Sequence, residues 1–161
     1  MRALMLALLL ALPACSPHAA ERSPTPTPAA QEPSVHPVSG LEVIPLTVTT
    51  LAGAHTFRVE VARTPAQQAQ GLMFRRSMGP DEGMLFPYAQ PQILSFWMRN
   101  TVLSLDLIFI GPDRRVVNVA ADAVPYSEAS IVSDAPAIAV LELNAGRARE
   151  LGIVAGNRVD W

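Results

Sequence analysis

From Leu41 onward the apolar residues of this chain recur mostly with a period of two, in short runs broken by Gly, Pro and Asp. Successive side chains of an extended strand point to opposite faces, so such a pattern builds sheets and cannot clothe a long helix. "LEVIPLTVTT" and "HTFRVEVA" flank Leu51-Ala52-Gly53-Ala54 and predict a hairpin. Further strand-like runs fall at 84–86, 93–98, 105–110, 115–120 and 137–143, with a closing strand at 158–161. Gly111-Pro112-Asp113-Arg114 makes a tight turn between two of them. Two short helices interrupt the strands. Thr64-Pro65-Ala66-Gln67 supplies an N-cap, a first-turn Pro and the Gln of a capping box, and Gly71 stops the turn. Asn144 is expected to cap a second helix running to Leu151 and ended by Gly152. The fold expected is mainly β, an antiparallel sandwich or partly closed, jelly-roll-like barrel with two short helices.

Ahead of this domain, residues 1–15 carry one Arg, an apolar run from Ala3 to Leu12, and small residues before the lone cysteine. That run is too short to span a bilayer and has the layout of a secretory signal. Leu12-Pro13-Ala14-Cys15 resembles a lipobox, in which Cys15 becomes a lipidated N-terminus; the alternative is an ordinary signal peptide followed by a free thiol. Residues 16–40 hold six prolines and little that could build a core, so they read as an extended tether between membrane and domain. The expected organisation is a signal peptide over 1–15, a tether over 16–40 and a β domain over 41–161. The expected location is the periplasmic face of a bacterial membrane.

Composition excludes several functions. Twelve cations against fourteen acids leave a net charge of −2, and no basic stripe exists to neutralise phosphates, so nucleic acid is not expected as a partner. His18 and His36 fall in the tether, which leaves His55 as the domain's histidine and provides no zinc constellation or Ser-His nucleophile pair. Neither metal nor cofactor is expected.

The unusual residues are polar ones in oily surroundings. In 94–101, strand parity puts Leu94, Phe96 and Met98 on one face and Ser95, Trp97, Arg99 and Thr101 on the other. An indole, a cation and hydroxyls together suit a ligand with a polar edge and a flat or apolar side, although Trp97 could simply cover one end of the core. Asp106 in "LSLDLIFI" and Glu142 in "AIAVLELN" lie where solvation is hard to arrange, and each must find a cation or amide donors or stay protonated. Arg75 and Arg99 are the candidate partners. Either these are buried structural ion pairs, or Arg75, Asp106, Glu142 and Asn100 line a pocket beside Trp97. The long stretch at 123–137 reads as a loop over one end of the sheet.

"VARTPAQQAQGLMFR", "DEGMLF", "FWMRNTVLSLDLIFI" and "VLELNAGRARELGIVAGNRV", in this order and spacing, resemble the DUF192 family of small, often exported prokaryotic proteins. The resemblance implies a jelly-roll-like β fold and a set of motif positions, among them Gly71, Arg75, Trp97, Asn100, Thr101, Asp106, Glu142 and Gly146, but no reaction. Three functions follow from the residues. One is a tethered domain binding a small polar ligand or envelope saccharide through Arg75, Trp97, Arg99, Asn100, Thr101, Asp106 and Glu142. Another is a structural or accessory lipoprotein. The third is an enzyme acting on glycans with Asp106 and Glu142, or Glu82, as acid and base.

Overall fold

The computed structural model describes residues 34–161, so the segment expected to be a signal peptide, Cys15 and most of the expected tether lie outside the described residues. In chain order the elements are β1 (Ser34–Val35), β2 (Glu42–Thr50), β3 (Gly53–Val61), α1 (Pro65–Gln70), β4 (Glu82–Gln92), β5 (Ser95–Phe96), β6 (Leu105–Ile110), β7 (Val116–Ala123), β8 (Ile131–Val132), β9 (Ala137–Asn144), α2 (Arg147–Leu151) and β10 (Arg158–Asp160). The main sheet runs β1-β2-β3-β4-β9-β6-β7, with β10 also on β2, and β5 and β8 form a small second sheet. Strand pairing is antiparallel except between β3 and β4, so the sheet is mixed where an antiparallel one was expected. A parallel pair needs a crossover long enough to carry the chain back, and residues 62–81, which include α1, provide it.

The central strands explain why alternation fades in mid-sequence. β6 is buried at every position and β9 at nearly every one, because apolar clusters cover both faces of the sheet. On one face Leu46, Phe57, Leu85, Ile108, Leu141 and Leu143 pack with Ala148 of α2. On the other Met84, Phe86, Leu105, Leu107, Phe109 and Val140 pack with Leu72, Leu94 and Met98. Backbone bonds from Val116 to Asn157, Gly156 to Val116 and Val159 to Arg114 draw β7 toward β10 and curl the sheet round the first cluster. β4 and β9 lie close together at Gly83, where a Cβ would sit 2.6 Å from the carbonyl oxygen of Glu142.

Local rules hold for α1: Thr64 Oγ1 accepts from the Gln67 N–H at 3.2 Å, and the Thr64 N–H donates back to Gln67 Oε1 at 2.9 Å. They fail for α2. Asn144 does not cap it; its side-chain amide instead donates to the carbonyls of Met78 and Gly79, both at 3.0 Å. Gly146 begins the helix without a side-chain cap, and the Ala148 N–H is met by Asp106 Oδ2 at 2.8 Å, from a strand 42 residues away. Asp106 Oδ1 accepts from the Asp122 N–H at 2.9 Å. The carboxylate is thus satisfied by two backbone amides, with neither Arg75 nor Arg99 as a partner.

Two other expectations change. The strand expected at 93–98 shrinks to β5, because the chain turns tightly after Met98. The folded part starts before the expected boundary at residue 41: β1 pairs with β2, and His36 and Ser39 reach Glu60. His36 therefore belongs to the folded part alongside His55.

Asp106→Ala leaves two amides of the interior without an acceptor and is expected to destabilise the domain by about 3 kcal/mol, with Asp106→Asn, which keeps one oxygen acceptor, intermediate. Denaturant unfolding of the three proteins tests this; a stability for Asp106→Ala equal to wild type would show that those amides do not depend on the carboxylate.

Candidate functional site

In register across the sheet, Glu60 of β3, Met84 of β4, Glu142 of β9 and Leu107 of β6 occupy one row, on the face opposite Asp106. Two buried acids thus share a row, and the fold treats them differently. Glu60 accepts a bidentate fork from Arg75, at 2.8 and 3.0 Å, with both side chains largely buried, and Ser39 Oγ donates to the same carboxylate. This is the buried structural ion pair that the sequence suggested, but its acid is Glu60. Glu142 makes no hydrogen bond or ion pair among the described residues although it is only 5 % exposed. Burial pushes its carboxyl up to about 8.

Glu142 opens onto a cavity of about 500 Å³, whose wall includes Gln68, Gln70, Tyr88, Phe96, Trp97 and Thr101. Every fully enclosed side-chain polar atom among the described residues has a partner, so the unpartnered oxygens of Glu142 must face this hollow. Trp97 is 50 % exposed and forms part of the rim, as do the exposed Gln70, Ser95 and Ser130. Phe96 is fixed by edge-on contacts with Phe86 and Phe109, at 5.2 and 6.2 Å between centroids. Tyr88, half-buried in the wall, has its phenol held above the ordinary value, mainly by burial and also by the neighbouring Glu142 charge. The wall is about as polar as it is apolar, and a hollow of several hundred cubic ångströms in which aromatic rings and convergent polar groups meet has the size of a small-molecule site.

The segment that carries Trp97 is clamped from both sides. The Thr101 N–H bonds to the Met98 carbonyl at 3.0 Å, closing a turn with Asn100 at φ 54°. The Phe74 N–H donates to the Asn100 carbonyl at 2.9 Å, the Tyr126 N–H to the Thr101 carbonyl at 3.1 Å, and the Met98 N–H to the Ser127 carbonyl at 2.8 Å. Phe74 and Tyr126 both hold φ 62°, an unfavourable left-handed conformation for bulky residues. Strained backbone therefore converges from three chain segments onto the residues that present Trp97.

Of the residues read from the sequence, Trp97, Thr101 and Glu142 meet in this cavity. Arg75 is engaged by Glu60. Arg99 lies 5.6 Å over the Trp97 ring and 3.8 Å from the exposed Glu128, outside the cavity wall. Asn100 points its amide to the Met73 sulfur at 3.9 Å, and Asp106 lies on the other side of the sheet. An acid–base pair of Asp106 and Glu142 is therefore ruled out, since neighbouring strands place them on opposite faces. Glu82 is spent on the Gly79 N–H at 2.8 Å. Thr101 is buried, not on a shared outer face with Trp97, because the turn at 98–101 breaks the alternation. Ser95, read from the sequence on the same face as Trp97, also lines the cavity, whereas Gln68, Gln70, Tyr88 and Ser130 were missed: each is an ordinary surface letter in its own segment, and only the fold gathers them. A larger hollow of about 1020 Å³ shares Gln70, Gly71 and Met73 with this one, but its buried charges, Arg75 with Glu60 behind it and Glu82, already have partners.

These features define a small mainly-β domain with a Trp-lined cavity over one unpaired acid. Residues 47–161 match the family model DUF192, described as "Uncharacterized ACR, COG1430", and the chain belongs to that family. A protein of unknown function from Novosphingobium aromaticivorans DSM 12444 is 54% identical, with a TM-score of 0.80 over 86% of this chain and 100% of that one. A Sinorhizobium meliloti 1021 protein described as a proposed transcription regulator is 42% identical, with a TM-score of 0.72 over 74% of this chain and 94% of that one. None of the curated proteins matches the chain.

The raised carboxyl of Glu142 has a definite consequence for stability. Below about pH 4.5 the group is protonated folded and unfolded and contributes nothing; from there to about 8 only the folded chain keeps the proton, so stability falls as pH rises. Above about 8 the loss levels off. Glu142→Gln is expected to match wild type near pH 4.5 and to exceed it by a few kcal/mol near pH 8, read from denaturant unfolding across that range. A stability difference that does not change with pH would refute the assignment.

Proposed function

We propose that this chain is a membrane-tethered binding module that holds a small polar ligand with a flat or apolar side, such as an envelope saccharide, against Trp97. The observation that carries this reading is the meeting of a half-exposed indole and an unpartnered buried carboxyl in one hollow. A domain that needed Glu142 only for its core would gain by pairing it, as it pairs Glu60, or by replacing it with an apolar residue. The clamp around 98–101 also supports the reading, because strain persists where surrounding structure holds it for a purpose. The regulator description belongs to the Sinorhizobium protein; this chain's net charge of −2 and lack of a basic stripe favour a small-molecule ligand over nucleic acid.

The tether is proposed from residues 1–15 alone: a cation, an apolar run and small residues ahead of the single Cys15. Lipid at Cys15 would keep the domain at a membrane surface on the exported side.

Thermal unfolding of the full chain against saccharides, peptidoglycan fragments, small acids and amines is expected to find a ligand that raises Tm, with the gain lost in Trp97→Ala. A panel without any stabilising compound would favour a structural role instead. In a bacterial host, radiolabelled palmitate is expected on the wild-type chain and absent from Cys15→Ser; equal labelling of both would refute the anchor.

A further inference from the structure

The wall of the Trp97 cavity carries one carboxyl group and no basic side chain. β4 contributes Tyr88, β6 contributes Leu107, and the end of α1 contributes Gln68 and Gln70. The 95–101 segment contributes Trp97 and Thr101, and the 123–137 loop contributes Ser130. Besides Glu142, Tyr88 is the titratable group among them, and its raised phenol stays neutral through the physiological range. Arg99 stacks on the Trp97 ring but faces Glu128 and does not line the hollow.

An anion in this cavity would oppose ionisation of Glu142 still further and would find no counter-charge in the wall. A neutral ligand would leave the carboxyl holding the proton that burial retains. A cation alone converts the site's one liability into a paired charge, and aromatic rings attract cations to their faces. We infer that the ligand is an organic ammonium ion whose cationic head pairs with Glu142 and lies against the rings of Phe96, Trp97 and Tyr88. The inference rests on the cavity being a ligand site and adds the ligand's charge and chemical class.

Pairing requires the ionised carboxylate, so the ammonium must displace the proton that burial retains. Choline serves as the probe because its charge does not titrate, and its neutral isostere 3,3-dimethylbutan-1-ol and glucose serve as controls. Calorimetry on the full chain is expected to show choline affinity rising about tenfold per pH unit below the carboxyl's value and levelling off above it, with proton release near neutrality. Glu142→Gln is expected to weaken choline at least about tenfold and flatten the pH profile, and the neutral isostere to bind at least about tenfold more weakly than choline. Equal affinity for choline and its isostere, or undiminished choline binding by Glu142→Gln, overturns the ammonium assignment. So does an absence of choline binding: if glucose, the isostere or a compound of the thermal-unfolding panel then binds in a Trp97-dependent way, the cavity still stands as a ligand site, and if none of these binds, both readings fall.

Discussion

β9 lies between β4 and β6 with apolar clusters on both of its faces, so the middle of the sheet is largely shielded from water on either side. Any ionisable group placed there must be neutralised by the protein, hold a proton, or wait for something that enters from outside. The domain's three most buried acids meet this demand in three ways. Glu60 takes a bidentate guanidinium, Asp106 takes two backbone amides, and Glu142 takes nothing from the described residues.

The first two solutions build the fold. Asp106 is a cap supplied from across the chain: it anchors the start of α2 and the residue-122 backbone to β6, and so stands in for the local capping residue that α2 lacks. Arg75 and Glu60 tie the segment after α1 to β3, and Ser39 and His36 extend that tie to the chain entering the domain. Each joins stretches far apart in sequence, which is where directional interactions contribute most to a single arrangement. Glu142 costs stability at neutral pH without such a return, and residues that break the pattern of an otherwise consistent structure concentrate where a protein works.

Around that acid the chain also spends conformational strain. Phe74, Asn100 and Tyr126 hold left-handed backbone so that amides from two distant segments can grip the turn behind Trp97. The indole is therefore held on a braced turn while its ring stays half open to solvent.

The amino-acid order by itself determined the mainly-β class, the hairpin, the capping box of α1 and the stops at Gly71 and Gly152, because strand periodicity and caps are decided by neighbours within a few residues. It also marked Glu142, Asp106 and Trp97 as out of place, since a charge inside an aliphatic run or an indole beside a guanidinium is visible in the letters. What it could not decide was who meets whom. The strand order sends Asp106 and Glu142 to opposite faces, gives Arg75 to Glu60, and brings Tyr88 and Gln68 to the cavity. Only the tertiary structure settled these, because they depend on register between strands dozens of residues apart, where shifting by one position exchanges one face of a sheet for the other.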